Sequence, residues 1–378
     1  MSLIRNYRKY LITLFVVYLT LAPTPIVDTG LMRFFPTLTF VIILFCGICS
    51  FKTAKAAQLG TIVSVFFIYI VLCAIFHPSI EGNKLMTLLK SSYWCCVYFI
   101  TYAIFSKKNI GCRSFDKKVM ITTILLVLSF NYSHASRLMN FDLIGDNAVF
   151  YPLLMIPWIA CISNTTKRWI MIVIVSLCAI TALKRSGIII MSISVILLYY
   201  SDFFRRKCLH PKSLFAAILV IAGIFTVYQY KAESIYDISK RFEMIKADGG
   251  NGRDMIYEDV INRYRSEDLI QQVIGKGFDS VKGKDTTIAL SAHNDFLEVL
   301  YDFGAIGFFL YVLMHFSLIK WTVLLFRKRS QLAFPMLVSY VCFVVMSMVS
   351  HLILYPTYFG LLVSFWAFAE CKDRKLQY

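Results

Sequence analysis

The sequence predicts an all-α polytopic membrane protein with about twelve transmembrane helices and one large helical loop, and three observations predict it. Hydrophobic residues make up 58% of the 378 positions and charged residues only 16%, whereas soluble domains are nearer half apolar with about a quarter charged. Mean hydropathy is +0.67. Apolar runs of roughly 15 to 22 residues recur along the whole chain, close to the ~20 that cross a bilayer at ~1.5 Å rise per residue.

Twelve spans follow from these runs: 10–27, 34–51, 58–76, 90–106, 119–134, 148–163, 168–183, 186–203, 213–230, 304–325, 333–354 and 356–371. The pair flanking Lys184 and Arg185 could be drawn as one helix. Trp169 to Phe204 is 36 residues, however, which is ~54 Å against a hydrocarbon core of ~30 Å, so two spans fit better. The chain then divides into transmembrane helices 1–9 within residues 1–230, a polar loop domain at 231–303, and helices 10–12 with a tail at 304–378.

Basic residues orient these helices. Alternate loops, with both termini, carry 22 Lys and Arg, and the short loops of the other side carry six: Arg33, Lys84, Lys90, Arg137, Lys184 and Arg185. The bias places both termini in the cytoplasm and the 231–303 loop outside. It also explains the net charge of +17. In a soluble protein that excess would suggest nucleic acid, but here it lies in cytoplasmic loops that meet anionic lipid. The outer loop has ten basic against fourteen acidic residues, and no RNA-binding motif is present.

The run from Tyr10 to Ile26 reads as a first span, not as a cleavable signal peptide, since no small-residue cleavage site follows it. None of the eleven cysteines falls in the outer loop, so neither a disulfide framework nor a Cys/His metal site is implied. Paired acids of the D-x-D kind, which hold Mg²⁺ or Mn²⁺ against a diphosphate, are absent from the sequence, and no phosphate-cradling glycine loop occurs. A mechanism without metal or cofactor is the simpler expectation.

The outer loop has its own pattern. After GGNG, Gly249 to Gly252, the stretch RDMIYEDVINRYRS places Ile256, Val260, Ile261 and Tyr264 on one face of a helix of about three turns. Asn251 or Asp254 can cap it, which leaves Arg253 in its first turn. A second short helix is expected at Ser266 to Val273. A third, His293 to Tyr301, carries Phe296, Leu297 and Leu300 on one face and runs toward the next span, with Gly304 and Gly307 allowing close approach.

AHNDFLEVLYDFGAIG in this last stretch resembles the His-Asn-x-x-Leu-Glu…Gly-x-x-Gly signature of the O-antigen ligase and polymerase superfamily. An arginine just outside a span, in LKRSGIII, and an NGRDMIY element inside a large outer loop resemble it too. The likeness covers the order of elements over about residues 170 to 325; the first 170 residues are similar only as a string of spans. It implies a GT-C-like bacterial inner-membrane enzyme. Such an enzyme joins a glycan carried on a polyprenyl diphosphate, as undecaprenyl diphosphate, to an acceptor sugar at the periplasmic face, with a chain-length regulator protein as a further partner.

That chemistry gives the candidate residues their roles. A departing lipid diphosphate needs its charge stabilised, and planar guanidinium groups grip phosphate oxygens in pairs, so Arg185 and Arg253 are the expected clamp. His293 is the expected base for the acceptor hydroxyl. Asp295 or Glu298 would orient its ring or contact sugar hydroxyls, and Arg137 would add a phosphate or sugar contact. The plainer readings are interfacial snorkelling for Arg185 and a solvated surface for Arg253. By likeness the chain is nearer a repeat-unit polymerase than a ligase that transfers glycan to lipid A core. A flippase or other transporter is the reading from another class, and it would need polar residues along a midplane path, whereas mid-span charges are almost absent.

Overall fold

The computed structural model describes residues 2–54, 57–76, 84–106, 112–139, 146–182, 184–206, 253–282, 291–350 and 352–375. Among the described residues there is no strand, only helix, turn and loop. The helices are α1 (Ser2–Leu21), α2 (Phe34–Ala54), α3 (Gln58–Phe76), α4 (Lys84–Ser106) and α5 (Cys112–Met139). Then come α6 (Phe150–Leu153), α7 (Ile156–Ala160), α8 (Thr165–Thr181), α9 (Arg185–Arg206), α10 (Arg253–Ser266), α11 (Leu269–Ile274), α12 (Asp295–Arg327), α13 (Ala333–Val349) and α14 (Pro356–Lys375).

Among the described residues, six helices are long and apolar enough to cross a membrane: Phe34–Ala54, Gln58–Ile75, Met86–Ser106, Arg113–Arg137, Ser186–Phe203 and Asp295–Arg327. Large apolar side chains such as Phe45, Leu128, Ile196, Phe309 and Phe316 are exposed along them, as a lipid-facing exterior requires. Some helix falls within eleven of the twelve expected spans, though only these six have the length and apolarity of a crossing, and the remaining expected span, 213–230, lies outside the described residues.

Several boundaries differ from the sequence expectation, each for a local reason. The first helix stops at Leu21, short of residue 27, because Pro23 and Pro25 cannot continue a helical hydrogen-bond ladder. The expected span 148–163 is two short helices broken at Leu154 and Met155, with Pro152 and Pro157 interrupting the run. The break between Thr181 and Arg185 does divide 168–203 into two helices.

Arg168 is not a solvated loop charge. It is buried, pairs with Asp202 of α9 and donates to the Ile162 carbonyl at 3.0 Å, while the Trp169 indole donates to the same Asp202 at 2.7 Å. Between α8 and α9, this buried cation is thus matched by an acid, as a low-dielectric interior demands.

The core centres on α4, where Tyr93, Trp94, Cys95, Cys96, Tyr98 and Phe99 are all buried. Trp94 packs at a tilt against Phe359 of α14, with ring centres 4.8 Å apart, and Phe343 of α13 lies parallel to Phe359 with ring centres 5.7 Å apart. Gly47 of α2 sits directly against Cys96 and Gly360 of α14 against Tyr93, so missing side chains let these helices close on α4.

The loop helices rest on this bundle. Ile256 and Val260 of α10 are buried with Val281, Ala292 and Tyr301, and Tyr264 and Leu297 pack against them. The second loop helix starts at Leu269, later than expected, because Asp268 caps it by accepting the Gln271 N–H at 2.7 Å. At 33 residues α12 is ~50 Å long, too long for one straight crossing. It breaks at Gly304, whose φ of 64° is left-handed. Any side chain there would strike the Val273 carbonyl and the Gly275 amide, which is why the backbone can pass so close.

Candidate active site

His293 stands immediately before the cap of α12. Asn294 is that cap, its side chain accepting the Phe296 N–H at 2.9 Å and the Leu297 N–H at 3.4 Å. On the other side, the Ala292 N–H donates to Glu298 Oε1 at 2.6 Å. His293 is therefore bracketed by two side-chain-to-backbone bonds. Its φ is +53°, a left-handed conformation that a residue with a Cβ holds only when its surroundings impose it. The side chain is half-buried. Asp295 and Glu298 in the first turn also oppose the positive end of the helix dipole.

Asp295 is fully buried and its carboxylate faces a different element. It accepts the Leu352 and Ile353 N–H groups at 3.2 Å each and the Tyr311 hydroxyl at 3.3 Å. Thus the histidine motif is tied to the turn between α13 and α14. Arg253, the first residue of α10, reaches the end of α13 just before that turn, with Nη2 3.4 Å from the Val349 carbonyl. Two stretches separated by some forty residues of sequence therefore meet on one short segment.

Arg137 and the Lys184–Arg185 step come together through Asp146. Asp146 is buried, lies 3.6 Å from Arg137 Nη1 and 3.6 Å from His134 Nδ1, and its own N–H donates to the Ala182 carbonyl at 3.3 Å. Burial first, and then the nearby Arg253 guanidinium, lower the Lys184 ammonium below the usual lysine range. Asp146 acts against that shift and Arg137 with it. Like charges from α5, the α8–α9 connection and α10 are therefore near neighbours. Arg185 opens α9 directly after Lys184; its side chain lies outside the described residues.

Beside this cluster is a cavity of about 700 Å³. Arg137 and Lys90 line it, with Tyr151, Tyr355, Tyr358 and Asn147 among the other walls. The Tyr151 hydroxyl is 2.9 Å from Thr357 Oγ1, and the Tyr358 hydroxyl donates to the Asn147 carbonyl at 3.0 Å. Aromatic rings, hydroxyls and cations in one open cleft form a surface suited to an anionic, sugar-bearing ligand.

Of the expected residues, then, Arg137 and Arg253 share the neighbourhood of Lys184, while Arg253 touches Val349 at the end of α13 and Asp295 touches Leu352 and Ile353 just after it. Glu298 accepts a backbone N–H, and Asp295 accepts two backbone N–H groups and the Tyr311 hydroxyl. Sequence reading missed Lys90 and Lys184 as site residues and the tyrosine walls altogether. Lys184 carried a signal, being next to Arg185 in LKRSG. The tyrosines carried none, since they stand in apolar runs like any core aromatic.

Residues 170–312 match a family model described as O-antigen ligase. No curated protein matches the chain.

Proposed function

Because the chain belongs, through residues 170–312, to the O-antigen polymerase and ligase superfamily, we propose that it polymerises oligosaccharide repeat units carried on a polyprenyl diphosphate. The product is O-antigen or a related surface polysaccharide. On this reading the protein is a multi-pass enzyme of the bacterial inner membrane with twelve spans, both termini in the cytoplasm and its site on the periplasmic face.

The observation that carries the proposal is the gathering of Arg137, Lys184 and Arg253 beside an open tyrosine-walled cavity, with Arg253 on Val349 at the end of α13 and the histidine motif on Ile353 shortly after it. Like charges crowd together at a cost unless an anion joins them, and a lipid diphosphate is such an anion.

In the reaction, an acceptor hydroxyl oxygen attacks the anomeric carbon of the donor sugar, and the bond from that carbon to the diphosphate oxygen breaks. His293 takes the hydroxyl proton. Arg253 and Arg185 stabilise the negative charge that grows on the leaving diphosphate, and Arg137 holds a phosphate or a sugar. Glu298 and Asp295 act by fixing the backbone on which His293 stands. No metal is assigned a part.

A second reading, transfer of finished glycan to lipid A core, is favoured by the wording of the matched family, O-antigen ligase. Gel profiling of surface glycans from a deletion strain separates the two. Loss of a polymerase leaves single repeat units on core, and loss of a ligase leaves bare core. Unchanged glycan would sink both readings.

A further inference from the structure

The loop helix α11 is inside out. Leu269, Ile270 and Val273 fall within about 100° of arc on one face, and they are 75%, 69% and 36% exposed. Its polar side chains turn the other way. Gln272 Nε2 donates to the Arg265 and Glu267 carbonyls at 3.2 and 2.9 Å, and the Tyr264 hydroxyl donates to the Gln272 carbonyl at 2.8 Å. Beside it, Lys276 pairs with Glu267 at 2.8 Å, and Glu267 also accepts the Tyr301 hydroxyl. A helix in water buries its apolar face and exposes its polar one. The reverse arrangement fits a helix whose exterior is itself apolar.

The depth of α11 says what that exterior is. The carbonyl of Ile274, its last residue, accepts the Tyr69 hydroxyl at 3.2 Å and lies 3.8 Å from Cys73 Sγ. Tyr69 and Cys73 belong to a membrane-crossing helix that ends at Phe76. Tyr69 is therefore ~10 Å, nearly two turns, inside the end of α3 nearest the loop. Tyr69 also donates to the Phe303 carbonyl at 2.6 Å, and the Lys276 and Gly277 N–H groups bond the Tyr301 and Asp302 carbonyls at the α12 break. The end of α11 is thus held against two helices of crossing length and apolarity, nearly two turns short of the end of α3.

We propose that α11 is a membrane-seated element, with Leu269, Ile270 and Val273 inserted among lipid acyl chains near the headgroups of the leaflet that faces the loop. Its occupant is lipid, neither a second copy of the chain nor another protein. The seat fixes the height of α10 and of the histidine motif packed beside it, so a lipid-linked substrate would meet the site without leaving its leaflet.

The test uses the full chain in lipid nanodiscs, with Ile270 replaced by an environment-sensitive fluorescent amino acid through codon reassignment, so that the native cysteines stay untouched. The same label at Asn262, exposed on α10, is the comparison and reports that the loop is folded. A nitroxide carried on the lipid chain near the headgroup is expected to remove most of the emission at position 270 and little at 262, and aqueous iodide to do the opposite. Equal or weaker lipid quenching at 270 than at 262 overturns the proposal. So does shielding of 270 from both quenchers, which would mean that protein covers the face.

Discussion

Asp295 accepts the N–H of Ile353 at 3.2 Å from across 58 positions of sequence. With its other oxygen on the Leu352 N–H and the Tyr311 hydroxyl, the carboxylate joins the start of α12 to the turn that follows Val349, whose carbonyl Arg253 touches. An aspartate two residues after His293 thus works as a fastener, and everything else proposed for the site depends on it.

Asp295→Asn keeps shape but offers one acceptor oxygen where the structure uses two, and its amide N–H₂ must face a donor. The expected outcome is a less stable protein, by ~1–3 kcal/mol for a buried group left unpaired, and weaker polymerisation even in the fraction that stays folded. Thermal unfolding in detergent measures the first effect and chain-length profiling the second. A variant with unchanged melting would show that the bond does not hold the turn.

Arg253→Lys and Arg185→Lys both keep charge but replace a planar fork with a point ammonium. Strong impairment of both at normal membrane levels is expected if they grip a diphosphate. Normal chain formation by both variants would leave the arginines interfacial and the clamp assignment wrong.

The sequence revealed what is local. The face Ile256, Val260, Tyr264 was readable because these three residues recur at helical spacing, and the break at Lys184 followed from a length that exceeds the bilayer. The proline breaks after α1 and inside 148–163 were written in the sequence as well, but the hydropathy of those runs outweighed them. What could not be read is tertiary: Arg253 beside Lys184, Asp146 between Arg137 and the α8–α9 connection, and a cavity whose tyrosines come from separate helices. Arg168 shows the same limit, since only the fold brings Asp202 to it and turns an apparent loop charge into a buried pair.

Lys184 is a cation held among Arg253 and Arg137, with its own charge disfavoured by burial. Lys184→Met removes part of that repulsion, so the protein without ligand should melt higher than the parent, or at least no lower. The sign follows from the lowered pKa: below the folded value the ammonium is charged at a cost, and raising pH through that value relieves it. Inorganic pyrophosphate should stabilise the parent by binding the cluster and stabilise the variant less. One charged hydrogen bond contributes ~1.5–3 kcal/mol, so affinity should fall roughly ten- to a hundredfold. Equal stabilisation by pyrophosphate in both proteins would remove Lys184 from the anion site.

His293 offers a way to part chemistry from backbone strain. Its φ of +53° costs an ordinary residue ~1–2 kcal/mol relative to glycine, so His293→Gly should fold at least as well as the parent while losing the imidazole. If His293 is the base, chain formation should fall by ~10² to 10⁴, although melting is unchanged or higher. Added imidazole should restore part of the activity, more so as pH rises through the pKa of free imidazole and the neutral base accumulates. His293→Gln keeps hydrogen bonding without basicity and should be nearly as inactive as the glycine variant. A glutamine variant close to full activity would mean that the residue positions substrate and takes no proton. Full activity in the glycine variant would remove His293 from the reaction altogether.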